Sequence, residues 1–471
     1  APLFFVLCHC SSIKLINIKK PNTLFSLFWC SNLTMLHLQK GSNTLIRAWA
    51  SYDWANSVYF LVITSTIFPI YYGSLFADSL YIEIFGQSLK NTALISYTTA
   101  AAFAVVAILS PILSGIADYV GNKKSFMKFY TYVGALSCVG LYWFDLDNIY
   151  FGLICYFFAS VGAWLSWVFY NSYLPDIAHP EQMDKASALG YSLGYVGSVL
   201  LLVVNLSMVL NPSLYGIEGT ASEASVKAMK YSFISVGIWW IAFSQIAFRF
   251  LPKNISKNPL TKKVIFNGYR ELRDVWKTFS NHPILKSYIG AFFVFSMAVQ
   301  TVMLIAAYFG EQEVNWGSSS EKQIGLIVSI TIIQLIAIVG ANITARCSKR
   351  FGNLPVLISL NFIWVSLCLY AFFVRSPIQF YIAAGFVGLS MGGIQSLARS
   401  TYSKFIPKTD DTASFFSFYS TSQMTGIVIG MLLFGTIDQV TGSMRNSVLF
   451  FLSFFLIGAF LLIRIHRRMT N

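Results

Sequence analysis

Twelve long apolar runs constrain what this chain can fold into. Each has about 20 residues, enough for a helix to cross the ~30 Å hydrocarbon core of a bilayer. None alternates apolar with polar residues, as the shorter strands of a membrane barrel do. The runs lie at residues 52–76, 92–117, 126–144, 149–171, 187–210, 230–251, 284–309, 324–344, 354–374, 378–399, 414–437 and 446–465.

The composition agrees with a membrane location. The 471 residues are 56% hydrophobic and only 11% charged, whereas soluble domains carry about 25% charged residues. The sequence therefore predicts an all-α polytopic membrane protein with twelve transmembrane helices.

Basic residues are distributed unevenly between the predicted loops. When the residues before Asp53 are placed in the cytoplasm, six of the 30 Lys and Arg residues from Leu36 onward fall on the other side. This asymmetry follows the positive-inside rule and predicts cytoplasmic termini. The net charge of +14 then reflects topology and anionic lipid headgroups, and we expect membrane lipids but no nucleic acid as partners.

The beginning of the chain does not fit the helical pattern. Residues 1–34 combine short apolar stretches with three lysines. The segment that begins at Met35 is more typical of a cytoplasmic N-terminus before a first transmembrane helix. We expect residues 1–40 to be a disordered leader that is not native to the protein.

The remaining chain divides into two related halves. A basic link at 252–283 separates a six-helix bundle at 41–251 from a second at 284–471. Three marks in matching loops repeat at nearly one offset: Gly121 with Gly352, Pro175 with Pro407, and Asp184 with Asp411. Two parallel repeats with a solute between them are typical of major facilitator transporters, which predicts two pseudo-symmetric six-helix bundles.

The loop after the second run resembles a motif of that superfamily. In "SPILSGIADYVGNKKSF", Asp118, Gly121, Lys123 and Lys124 match the motif, whereas Tyr119 stands where an Arg is usual. The resemblance implies a charge clamp at the inner gate. A solvated loop without a gating role is the alternative.

A narrower resemblance follows from four further stretches. "YDWANSVYFLVITSTIFPIYY", "NSYLPDIA", "SALGYSLGYVGS" and "GGIQSLARSTYSKFIP" are similar to the vacuole effluxer-like family, over about residues 45–465. Fungal members of that family are linked to amino-acid export from the vacuole. The resemblance implies a secondary active or facilitated transporter of a small polar solute, here of the bacterial type. We also expect the protein to be a monomer in the bacterial inner membrane.

Two polar residues stand at the mouth of the first run. Asp53 and Asn56 are candidates for the inner end of a solute pathway, and Asn56, Phe60 and Thr64 repeat every four residues, so they share a helix face. The alternative is that Asp53 lies in the first turn and stabilises the helix terminus by ~0.3–1 kcal/mol.

Other pathway candidates are polar or aromatic residues inside apolar runs. Because unpaired amides in hydrocarbon cost several kcal/mol, they should face protein or water. Arg399 shares a face with Gln395 and could hold a carboxylate, or could extend to the lipid headgroups. The candidates are Trp164, Trp167, Asn171, Gln300, Gln334, Gln395, Arg399 and Gln423.

Two other features favour structural roles. Asp184 and Asp411 each begin a D-x-A-S tetrapeptide and are predicted to cap helices. The glycines of "GYSLGYVG" and "GFVGLSMGG" predict faces where helices approach closely.

Several patterns that mark enzymes and ATP-driven proteins are missing, which narrows the range of possible functions. No charged residue lies in the middle third of a predicted helix, so a buried carboxylate that carries protons is not expected. The sequence has no Walker pattern and no metal-ligand spacing of its His or Cys residues. We therefore expect a transporter that is not an enzyme and that has no metal or cofactor; a transporter-like sensor or scaffold is the alternative.

Overall fold

The computed structural model describes residues 38–76, 81–84, 86–252, 264–441 and 443–470. The predicted leader therefore lies outside the described residues, apart from its last three positions.

Six long helices form the first half, as the apolar runs predict. They are α1 (Asn43–Leu75), α2 (Asn91–Val120), α3 (Lys123–Gly140), α4 (Ile149–Ser172), α5 (Pro180–Leu210) and α6 (Ala221–Phe250). A short antiparallel hairpin, β1 (Tyr81–Ile84) and β2 (Gln87–Lys90), joins α1 to α2.

Six further helices form the second half. They are α7 (Pro283–Glu313), α8 (Ser319–Phe351), α9 (Asn353–Phe373), α10 (Pro377–Phe405), α11 (Thr412–Thr441) and α12 (Met444–Thr470). The end of the helical bundle where α6 terminates and α7 begins is called the linker side. The other end of the bundle is called the opposite side.

Eleven of the described helices are long and apolar enough to cross a membrane. The twelfth long helix of the two halves, α3, has 18 residues and carries Lys123, Lys124 and Lys128 in its first six positions. These lysines lie at the linker side, where α3 begins.

Two loops that suggested a repeat each contain a glycine with a positive φ angle. Gly121 lies between α2 and α3 and Gly352 between α8 and α9, and their φ angles are +73° and +86°. Positive φ is readily adopted only by glycine. The two halves therefore turn at equivalent places by the same means.

Helix α1 is longer and less regular than its sequence suggests. It begins at Asn43, before the predicted start at residue 52, and its segment Tyr59–Ile67 is a π-helix. The hydroxyls of Ser65 and Thr66 donate to carbonyls five residues earlier, both at 2.8 Å. Such π segments are frequently found at functional sites.

The connection between the halves contains a helix that the sequence analysis missed. This linker helix, Val264–Asn281, buries Val275 and Phe279. Its Trp276 lies 5.3 Å from the ring of Phe418 on α11, measured between centroids. The predicted basic link is therefore partly an amphipathic helix, which packs chiefly against α2 of the first half and also contacts α11 of the second.

Helices α8 and α10 approach closely through glycines. A Cβ atom at Gly340 would lie 2.0 Å from the carbonyl oxygen of Leu389, and one at Gly392 would lie 2.0 Å from that of Ala337. Both distances are far below van der Waals contact. Only glycine permits this packing, as the small-residue face predicted.

Gly392→Ala should therefore lower stability by about 1–3 kcal/mol, because the added methyl group meets backbone that has no room to move. The measurement is thermal unfolding of the purified protein. Gly435→Ala on α11 is the matched control: nothing lies within 4 Å of its Cβ position, and alanine there should stabilise the helix slightly. Equal melting temperatures for the two variants would contradict this account of the α8–α10 contact.

Candidate functional site

A buried arginine lies where the two halves meet near the linker side. Arg399 belongs to α10 of the second half, and its side chain is fully buried. Its Nε donates to the hydroxyl of Ser187 at 2.9 Å, and one terminal nitrogen donates to the Ser187 carbonyl at 2.9 Å. The other terminal nitrogen donates to Asn171 Oδ1 at 3.0 Å and to Asp53 Oδ2 at 3.3 Å. One guanidinium group thus contacts α1, α4 and α5 of the first half.

Aromatic rings surround the same guanidinium group. Its carbon lies 4.2 Å from the ring centroid of Tyr191, 5.0 Å from that of Trp49 and 5.5 Å from that of Tyr170. Trp49 and Tyr170 are themselves stacked, with centroids 4.5 Å apart. Such faces attract a desolvated cation by about 2 kcal/mol, which helps to offset the loss of water.

Asp53 supplies the negative charge of this network. It lies in the interior of α1, is only 3% exposed, and accepts a hydrogen bond from the hydroxyl of Tyr170 at 2.7 Å. Because α1 begins at Asn43, the capping alternative for Asp53 is wrong. Asp53 is a buried carboxylate that the sequence did not reveal, because α1 begins well before its apolar run. That no buried carboxylate carries protons stays a prediction.

A glycine of α5 makes room for the pair. A Cβ atom at Gly190 would lie 2.6 Å from Asp53 Oδ2, 2.8 Å from the hydroxyl of Tyr170 and 3.0 Å from a terminal nitrogen of Arg399. Any side chain at this position would displace the ion pair. The predicted glycine face of α5 therefore accommodates the polar network as well as helix packing.

Asn56 lies one turn of α1 beyond Asp53, away from the linker side. It is 1% exposed, and neither atom of its amide has a hydrogen-bond partner among the described residues. Leaving a buried polar group unpaired costs about 1–3 kcal/mol. Asn56 therefore retains hydrogen-bonding capacity that no described residue uses.

The predicted tryptophans of α4 lie beside α1. Trp164 contacts Phe60 of the π segment at 5.0 Å and Trp167 at 5.8 Å between ring centroids. Thr64 lies in the same π segment. The aromatic pair therefore continues the interface between α1 and α4 from Asn171 towards the opposite side.

The predicted glutamines do not form one cluster. Gln395 accepts from the hydroxyl of Tyr195 at 3.1 Å and so joins the two halves. Gln423 is buried on α11. Within the described ranges, no hydrogen bond connects Gln300 or Gln334 to the Arg399 network.

The structure places Asp118 against the beginning of a helix from the other half. Its carboxylate accepts from the backbone N–H groups of Ala413 at 3.3 Å and Ser414 at 2.7 Å, and Asp118 is 4% exposed. A carboxylate at a helix N-terminus satisfies unpaired donors and meets the positive end of the helix dipole. Asp118 therefore accepts hydrogen bonds from the N-terminus of α11. Asp411, the predicted cap, directly precedes α11, but its carboxylate accepts from the hydroxyl of Thr409 at 3.0 Å.

The two lysines of the motif have different partners. Lys123 forms an ion pair with Asp176 and donates to the hydroxyl of Thr412 on α11 at 2.7 Å. Lys124 donates to the carbonyl of Leu251 at the end of α6, at 2.5 Å. Lys123 thus joins the halves beside Asp118, whereas Lys124 joins two helices of the first half.

A second carboxylate bonds the halves together on the same side. Asp184 accepts from Ser348 at 2.8 Å, from Asn353 at 2.8 Å and from the ammonium of Lys404 at 2.7 Å. It stands inside α5, which begins at Pro180, so the predicted cap is wrong. Its burial and its three partners on α8, α9 and α10 make Asp184 a cross-half contact that the sequence did not reveal.

Arg399, Asn171 and Asp53 were among the sequence candidates, but their common network was not predicted. Arg399 does not extend to the headgroups, because Asp53 and Ser187 hold it inside the protein. Sequence reasoning missed Tyr170 and Tyr191. Tyr170 directly precedes the candidate Asn171, and this adjacency was the one sequence signal that could have pointed to it. Among the described residues, no group of His, Cys, Asp and Glu side chains could hold a metal ion.

The sequence of the whole bundle matches one family model. Residues 41–470 match the model described as "Vacuole effluxer Atg22 like". The chain belongs to this family.

Curated relatives agree with the family. The chain is 30% identical over 419 residues to the uncharacterized MFS-type transporter YxiO of Bacillus subtilis (strain 168), covering 88% of this chain and 93% of that protein. It is 23% identical to Autophagy-related protein 22 of Pichia angusta, covering 81% of this chain and 76% of that protein. These likenesses support a membrane transporter.

Solved structures show the fold. The fucose transporter FucP in the outward conformation matches with a TM-score of 0.65 at 14% identity, covering 89% of this chain and 98% of that chain. The human organic anion transporter MFSD10 matches with a TM-score of 0.64 at 12% identity, covering 90% and 100%. The Atg22-like chain therefore has the major facilitator fold.

Asp53→Asn should lower the free energy of unfolding by about 3 kcal/mol, because Arg399 would remain buried without a counter-charge. Replacing Arg399 by Gln in the same chain should recover part of the loss. Melting temperatures of the single and double variants measure this coupling.

Asp145→Asn is the matched control for the charge change. Its carboxylate lies 3.9 Å from Lys230 in a partly exposed pair, which should contribute at most about 1 kcal/mol. If Asp53→Asn melted at the same temperature as Asp145→Asn, the buried pair would have no stabilising role.

Proposed function

We propose that this protein transports a small polar solute across its membrane by alternating access. One observation carries the proposal: two matched carboxylate contacts join the halves on the linker side. Asp118 bonds the beginning of α11, and Asp184 bonds the end of α8. Hydrogen bonds of this kind can break when the halves rock apart, whereas the apolar packing within each half is retained.

The contacts support a state that is closed on the linker side. The basic residues of the loops support placing that side in the cytoplasm, so the state would accept solute from the outside. We propose the bacterial inner membrane as the location, cytoplasmic termini and a monomeric transporter. Asp118, Gly121, Lys123 and Lys124 would then form the inner gate, together with Asp184.

Amino acids are the solutes that the buried charges suit best. When the halves separate, Asp53 and Arg399 lose each other as partners. A zwitterion would supply an ammonium group to Asp53 and a carboxylate to Arg399, each contact contributing roughly 1.5–3 kcal/mol. The amide of Asn56 lies next to this position and could bond the solute. We propose efflux as the direction, in keeping with the description of the family.

The remaining candidates would line the path on either side of this pair. Trp164 and Trp167 would provide its aromatic wall. The polar positions proposed along it are Thr64, Asn171, Gln300, Gln334, Gln395 and Gln423.

Counterflow of labelled neutral amino acids in proteoliposomes tests the proposal. We expect unlabelled amino acid inside the vesicles to accelerate uptake of the label by the wild-type protein. Asp53→Asn and Arg399→Gln should each slow this exchange at least tenfold, because each removes a charge that the solute must meet. Asp145→Asn, far from the pair, should exchange at the wild-type rate.

Two results would contradict the proposal in different ways. Equal exchange by wild-type protein, Asp53→Asn and Arg399→Gln would remove the pair from the solute site. Amino acids that raise the melting temperature of the wild-type protein but undergo no counterflow would instead favour the sensor alternative.

A further inference from the structure

A groove opens between α7 and α12 where these helices reach the linker side. Its volume is about 400 Å³. It is lined by Lys286, Ser287, Gly290, Ala291, Leu461, Arg464, Ile465 and Arg468. The groove lies apart from the interface between the halves and from the Arg399 network.

The two helices diverge to form this groove. At Gly458 they pack tightly, since a Cβ atom there would lie 2.9 Å from the Cβ of Phe295. Further towards the linker side, a Cβ atom at Gly290 would have no neighbour within 4 Å. The space above Gly290 is therefore open, and its floor consists of the buried side chains of Ala291 and Ile465.

Three positive charges surround this apolar floor. Lys286, Arg464 and Arg468 are all exposed, and none of them forms an ion pair with another described residue. No acidic residue lines the groove. A groove with cations at its rim and an apolar floor, placed at a membrane interface, complements a molecule with an anionic head and a hydrocarbon tail.

We propose that this groove binds an anionic phospholipid from the leaflet next to the linker side. The two guanidinium groups and the ammonium of Lys286 would bond the phosphate, for which arginine offers paired donors. One acyl chain would lie over Gly290 and Leu461. A free phosphate ion would use only the charges and leave the apolar floor uncovered, so the groove fits a lipid better than a soluble anion.

Native mass spectrometry of the full-length protein in detergent tests the proposal. The probes are phosphatidylglycerol and phosphatidylcholine with identical acyl chains. The wild-type protein should retain at least one more phosphatidylglycerol than phosphatidylcholine. Neutralising Lys286, Arg464 and Arg468 to Gln should remove this preference, because each charge near the surface changes binding about fivefold.

Two further variants separate the groove from general surface charge. Gly290→Phe keeps all three charges but fills the open space, and it should also abolish retention of the lipid. Neutralising Arg346, Lys349 and Arg350, which are exposed near the linker-side end of α8, removes the same charge elsewhere and should leave retention unchanged.

Melting temperatures within a few degrees of wild type would show that all the variants are folded. Equal retention of the two lipids by the wild-type protein would overturn the proposal. So would a loss of phosphatidylglycerol in the α8 variant as large as that in the groove variant, or normal retention by Gly290→Phe.

Discussion

A guanidinium group buried between two helical halves must find its partners inside the protein, because the bilayer offers none. Arg399 meets this requirement with hydrogen bonds to three helices of the first half and with a counter-charge from Asp53. Much of the surrounding structure follows from that need. Gly190 must lack a side chain, Tyr170 must orient the carboxylate, and Trp49 must stack close by. The halves are therefore joined by charge at a point where transport requires that they separate.

The two carboxylate contacts on the linker side show how related halves use different chemistry. In one, Asp118 on α2 accepts from backbone N–H groups at the beginning of α11. In the other, the carboxylate is Asp184 on α5, and Ser348 at the end of α8 is among the donors. Equivalent pairs of helix ends thus meet twice. The carboxylate lies near the end of a helix in the first contact and near the beginning of a helix in the second. Because both contacts are polar, water can take the place of the lost partners when the contacts break.

The sequence predicted the elements whose signal is local. Apolar length located the twelve helices of the two halves, and the matched glycines at 121 and 352 located equivalent turns. Signals that depend on distant partners were missed. Asp53 and Asp184 each stand near the start of an apolar run, where a carboxylate can cap a helix. In the structure both helices begin earlier, and the two carboxylates contact α10 and α8 of the other half. The linker helix was hidden because its apolar residues are too few to form a run, although Phe279 and Val275 share its buried face.

The central claim is that the halves separate on the linker side when the contacts of Asp118 and Asp184 break. Pulsed electron spin resonance between labels at Ser125 on α3 and Lys349 on α8, both exposed, tests it most directly. The labels are attached to cysteines in a chain whose seven native cysteines are replaced. We expect one dominant distance for otherwise unaltered protein, and a second, longer distance when Asp118→Asn and Asp184→Asn are combined. A single distance that is unchanged by the two substitutions would contradict it.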